Sequence, residues 1–242
     1  MKPTLVFLHG FPLSPAMWEN QKSFFSGYPT FCPNLIGTGS TPPHPFTLDE
    51  MAYAVIDEII SKHSNTILCG LSMGGYIVQR ILEIHPQNID GLILISTRSS
   101  ADSKEAKQKR VQAIQSIKSQ GKDLFLETFC KNMVSQYTLK HSNLLEEIQK
   151  MASKNTELGI LYQLLALMGR IDSTEFLQKI TIPTLILSGS EDSLTPASEM
   201  KSIFSSIPNS EFHIIENSGH LSPLENPSAV NHSILQFLNK NF

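Results

Sequence analysis

Short apolar runs alternate with longer amphipathic stretches along most of the chain. TLVFLHG (4–10), PTFCPNL (29–35), NTILCG (65–70), DGLILIS (90–96), PTLILSG (183–189) and SEFHIIE (210–216) are rich in β-branched residues and predict strands. Several are apolar almost throughout, the pattern of a parallel sheet with helices on both faces. The segments between them have helical period and helix-start signals. SPAMWENQKSFF opens on Ser-Pro, TLDEMAYAVIDEIISKH sets Glu50 three residues after Thr47, and YIVQRILEIHP stops at Pro86. ASEMKSIFSSI follows Pro196, and PSAVNHSILQFLNKN begins on proline. Strand and helix alternating through short loops predict a doubly wound α/β sheet.

The rhythm breaks once. Residues 99–179 carry no strand pattern, only helical stretches such as VQAIQSIKSQ, LFLETFCKNMV and GILYQLLALMG. The expected organisation is a core made of 1–98 and 180–242, interrupted by a helical cap over 99–179 at one edge of the sheet.

Composition narrows the function without choosing it. A chain of 242 residues with 40% hydrophobic content suits one globular unit whose core holds without metals or cross-links. The formal charge of −3 lacks the basic excess of a nucleic-acid footprint, so no nucleic-acid partner is expected. Cys32, Cys69 and Cys130 fall at unrelated spacings, which indicates neither a disulfide framework nor a zinc site. The apolar start MKPTLVFLHGF is too short for a signal-peptide core, and no run approaches a membrane span. A cytoplasmic protein with no membrane partner is the expectation; oligomeric state leaves no mark in the sequence.

The chemistry centres on CGLSMGGY, where Ser72 stands between Gly70 and Gly74. A Walker loop would need a lysine, and the segment has none; GTGSTP at 37–42 fails the dinucleotide fingerprint at its last glycine. A nucleophile elbow fits better: a strand turns sharply into a helix at the serine, and the strained turn admits only small neighbours. A serine hydroxyl also needs a base, and the base needs an orienting acid. In such a sheet they follow in the order serine, acid, histidine, on loops after later strands. The loop after PTLILSG offers Glu191 and Asp192. Asp192, deeper in the loop and followed by the turn-forming SLTP, is favoured over Glu191. The loop after SEFHIIE offers His220 beside a glycine. His44, His63, His85, His141 and His232 lie in loop or helical segments where surface or capping roles suffice, and His213 reads as a buried strand residue. Candidate oxyanion donors are the backbone N–H of Met73, after the serine, and of Phe11, after Gly10; Pro12 has no N–H to give. His9 is expected to pack and brace that loop.

Taken together, HGFP, PNLIGTGST, GLSMGG, GSEDSLTP and SGHLSPLENP resemble the α/β-hydrolase superfamily. Within it the chain is similar to a branch of small esterases and lactonases that includes 3-oxoadipate enol-lactonases, arylesterases and cofactor-free haloperoxidase-type esterases. The resemblance implies hydrolysis of a small ester or lactone through an acyl-Ser72 intermediate with no cofactor and no metal. C–C bond hydrolases and perhydrolases use the same triad, and the fold also serves as a ligand receptor. Two departures stand out. Asn34 and Ile36 replace the Asp and Arg common in the family, and the chain starts directly at the strand leading to HGFP. The latter predicts a six-stranded, mostly parallel sheet.

A pocket is expected between the sheet's carboxyl edge and the cap. Its candidate walls are Trp18, Phe125, Phe129, Leu161, Leu194 and Leu221, although Trp18, on a helix seven residues past the oxyanion loop, is better suited to a packing anchor. Arg98 and Arg170 are candidates for gripping a substrate carboxylate, although arginines are mostly solvated. An apolar cap with few converging charges favours neutral, medium-sized esters.

Overall fold

Every residue of TLVFL is buried, and this run forms β1 (Thr4–Leu8). The TILCGL and TLILSG runs do the same as β3 (Thr66–Leu71) and β5 (Thr184–Gly189). In β4 (Ile89–Ile95) only Asp90 reaches solvent. Strands apolar on both sides need helices on both faces, and these central strands occupy the middle of the sheet. At its edges lie β2 (Thr30–Phe31) and the more exposed β6 (Ser210–Ile215). The computed structural model describes residues 2–39 and 46–242; His44 and the last two residues of PNLIGTGST lie outside them.

All six strands are parallel, in the order β2-β1-β3-β4-β5-β6. Cys69 sits in the centre of this ladder, level with Phe7 and Ile93, and burial pushes its thiol well up. The order reverses between β1 and β3, so the loops leaving their carboxyl ends diverge and open a crevice. The 29–35 run pairs over only two residues: Pro33 has no N–H for a ladder, and the chain turns just beyond it, Thr38 N donating to Leu35 O at 3.0 Å. His213, expected inside the core, lies on the edge strand and is half-buried.

Helices fill the connections. A 3-10 turn over Pro15–Trp18 leads into α1 (Glu19–Phe24). The start of α2 (Leu48–Glu58) is a complete capping box, Glu50 N donating to Thr47 Oγ1 at 3.1 Å and Thr47 N to Glu50 Oε2 at 2.6 Å. It packs on α3 (Met73–Ile84), whereas α1 packs on the last helix, and the two groups cover the sheet's two faces.

Between β4 and β5 the chain forms α4 (Lys104–Gln120), α5 (Lys122–Lys131), α6 (Gln136–His141), α7 (Leu144–Ser153) and α8 (Glu157–Met168). The core resumes with α9 (Ala197–Ser206), α10 (Ser222–Glu225) and α11 (Pro227–Asn241). The two stems of the insertion meet: Ser173 N donates to Ser99 O at 2.9 Å and Ala101 N to Asp172 Oδ2 at 3.0 Å. Its helices rest on loops from the sheet's carboxyl edge. Asn155 Nδ2 donates to Pro12 O, Gly39 N to Asn155 Oδ1 at 2.9 Å, and Gln163 Nε2 to Thr38 Oγ1 at 2.8 Å. No helix among the described residues is long and apolar enough to cross a membrane.

Candidate active site

Ser72 joins the end of β3 to the start of α3 with φ of 53° and ψ of −112°. A side chain at positive φ is strained, at a cost on the order of 1–3 kcal/mol, and persists only when its surroundings impose it. Here they do. Ser72 N donates to Ile95 O at 3.0 Å, and Thr97 Oγ1 donates to Ser72 O at 2.9 Å. The flanking glycines are required by space: a Cβ on Gly70 would stand 2.3 Å from Gly74 O, and one on Gly74 2.1 Å from Leu8 O. The loop after β1 lies against the elbow, since a Cβ on Gly10 would come within 3.4 Å of Ser72 Cβ.

Met73 N opens α3 and so has no carbonyl one turn back. Phe11 N lies in the neighbouring loop. Among the described residues neither amide donates to a protein acceptor, so both are available to an oxyanion held at the serine. His9 braces this loop, its Nδ1 donating to Gly10 O at 3.1 Å. It is fully buried, and burial lowers its pKa to about 4, so the ring is neutral near pH 7.

On the opposite side, the loops after β5 and β6 bring Asp192 and His220 together. His220 Nδ1 lies 3.0 Å from Asp192 Oδ2, 3.2 Å from Oδ1 and 3.0 Å from Thr195 Oγ1. Thr195 Oγ1 donates its own proton to Asp192 Oδ2 at 2.6 Å, so it can only accept from the ring. Every neighbour of Nδ1 is therefore an acceptor, which fixes the proton on Nδ1 and leaves Nε2 with its lone pair. Asp192 Oδ1 also accepts the amides of Leu194 and Thr195, both at 2.9 Å. Burial acts to raise the Asp192 pKa, but the His220 charge and the bonds from His220 and Thr195 outweigh it and hold the carboxyl at about 2. Glu191 points elsewhere, accepting Gln136 N at 2.8 Å. Thr195 is an orienting group that sequence reading missed; the SLTP turn signalled only its backbone.

The structure brings Asp192 and His220 into contact and sets Ser72 beside the Phe11 loop. No hydrogen bond joins Ser72 Oγ to His220 among the described residues.

The expected pocket residues divide. Phe125 and Phe129 on α5 stack on one another, centroids 5.3 Å apart, and reach the Phe11 ring at 6.5 and 5.4 Å. Leu194 and Leu221 adjoin the aspartate and the histidine, and Leu161 is buried on α8. Trp18 is a core anchor: it is fully buried with its ring 5.1 Å from Phe7 of β1. Arg98 donates to Leu194 O at 2.7 Å and lies 3.6 Å from Glu199. Arg170 pairs with Asp102, donates to Ser100 O and covers the Tyr76 ring at 4.5 Å. Both arginines border a cavity of about 10 Å³, room for about one water. Among the described residues no three His, Cys, Asp or Glu side chains gather as a metal site.

The chain is similar to known proteins along nearly its whole length. The family model for the alpha/beta hydrolase fold matches residues 3–227. The 3-oxoadipate enol-lactonase 2 of Acinetobacter baylyi is 25% identical over 240 residues, covering 96% of this chain and 87% of its own. The AB hydrolase superfamily protein YisY of Bacillus subtilis is 30% identical over 97% of this chain and 91% of its own. A thermophilic esterase from Thermogutta terrifontis, solved with malate bound, superposes with a TM-score of 0.92 at 30% identity, covering 99% of this chain and 90% of that one. The chain belongs to the alpha/beta hydrolase fold family.

Proposed function

We propose that this member of the hydrolase family cleaves small carboxylic esters or lactones through an acyl-Ser72 intermediate. The observation that carries the reading is the His220 ring held by Asp192 and Thr195 with its proton on Nδ1 and its Nε2 lone pair free. Ser72 Oγ attacks the carbonyl carbon as Nε2 takes its proton, and the amides of Phe11 and Met73 hold the resulting oxyanion. Asp192 stabilises the imidazolium. His220 then protonates the leaving alkoxide, and water repeats the sequence to release the acid.

The rings of Phe11, Phe125 and Phe129 make an apolar wall next to the oxyanion loop, while Arg98 and Arg170 are engaged within the protein. The substrate we infer is therefore neutral and medium-sized, with an apolar group against the phenylalanines. Likeness to an enol-lactonase and an esterase supports the reaction class.

Ser72→Ala is expected to abolish turnover of short p-nitrophenyl esters, with a fall of at least about 10³-fold, and to leave the circular dichroism spectrum intact. Wild-type turnover in that variant would refute the role of Ser72.

A further inference from the structure

The hydrolase reading uses Asp192 and His220 but gives no task to the carboxylates beside them. Glu191 immediately precedes Asp192, and Glu225 ends α10, the helix that follows His220. Both engage the same short stretch of the helical insertion. Glu225 Oε1 accepts Gly219 N at 2.8 Å and Leu221 N at 3.2 Å, the amides on either side of His220. Its Oε2 accepts Ser135 N and Thr138 Oγ1, both at 2.7 Å, at the start of α6. The next amide, Gln136 N, goes to Glu191. His220 N donates to Met133 O at 2.9 Å, completing the junction. The two surfaces meet without slack, since a Cβ on Gly219 would stand 2.8 Å from Ser135 N.

We propose that Glu225 is a positioning residue that fastens the histidine loop to α6. Glu191 fastens the aspartate loop to the same helix start, so the insertion sets how His220 meets Asp192. Charge-assisted bonds to a carboxylate are stronger than neutral ones, and four donors converge on this one. Two of them flank His220, so they fix the direction in which its side chain leaves the backbone. An amide cannot replace the carboxylate: all four partners are donors, and glutamine would turn an NH2 group toward one pair. Glu191, which is exposed, is the weaker of the two struts.

This role rests on the triad reading, yet it can be tested apart from it. Glu225→Gln is expected to lower kcat on a p-nitrophenyl ester about 10²-fold, the scale of a small misplacement of a reacting group. KM should stay within about twofold, because the substrate wall is untouched. The low-field proton resonance of His220 Nδ1–H, identified by its loss in Asp192→Asn, should shift or exchange faster. Thr138→Val, on the insertion, should move kcat and the resonance in the same direction, and the two changes together should be less than additive. A purely structural residue would change thermal stability alone. Wild-type kcat and an unmoved resonance in folded Glu225→Gln would overturn the proposal; where that variant does not fold, the same result in Thr138→Val would do so. Failure of the triad reading is a different outcome: turnover persists in Ser72→Ala, while the resonance in Glu225→Gln still reports on the tether.

Discussion

Asp192 carries most of the electrostatic demand at the site, because it is buried and ionised at once. Three hydrogen bonds from Leu194 and Thr195, with the neighbouring imidazole, make that state tolerable. Its folded pKa of about 2 lies below the ordinary 3.8, so the ionised form stabilises the fold above about pH 4. That contribution, ~2 kcal/mol, is lost as pH falls through about 2. Asp192→Asn should therefore flatten the acid limb of stability, read as the urea midpoint against pH from about 5 down to about 2. An acid limb as steep as that of the wild type would contradict this account of the carboxyl. Asp192, His220 and Ser72 were legible because each stands at a strand end beside small or turn-forming residues. Thr195 was not, because a hydroxyl that reads as turn chemistry gives no sign that it also faces an imidazole 25 positions away.

The strand-to-helix junctions are where the elements constrain the chemistry. The elbow works only if α3 can start beside the backbone of β1. Gly74→Ala would press a methyl into Leu8 O and should cost about 1–3 kcal/mol, seen as a lower denaturant midpoint together with reduced turnover. A midpoint equal to wild type would show that the junction has room to spare. Apolar runs marked the central strands clearly, since burial on both faces leaves one composition for them. The 29–35 run also forms a strand, but its apolar length overstates it, since only Thr30 and Phe31 pair in the ladder. The full extent of α4 was also hard to see: only Ile117 is buried along its 17 residues, so its first half has no apolar stripe to read.

Across the whole molecule, the insertion is held at its base by a buried ionic cluster. Asp102 is paired with Arg170 and Arg110, and the Asp102 and Arg170 side chains are 1% and 3% exposed. Arg170 in turn lies over Tyr76, one turn along α3 from Ser72. Asp102→Ala would leave the Arg170 charge buried without its partner and should destabilise by about 3–5 kcal/mol. Equilibrium unfolding in urea measures this; a loss below about 1 kcal/mol would mean that Arg170 finds water instead. Neither this cluster nor the Glu225 junction is legible in the sequence. Both depend on partners 68 to 90 positions apart, which only the fold brings together.

The meeting of the two stems at Ser99 and Ser173 also bears on how such a chain can diversify. A segment that leaves and returns at one point can lengthen, shorten or be exchanged without displacing β4 or β5. The outer insertion, α4 above all, with only Ile117 buried, can thus change without disturbing the sheet. Residues 133–138 do not share that freedom, because they grip the histidine loop. Variation that redesigns specificity must pass around them.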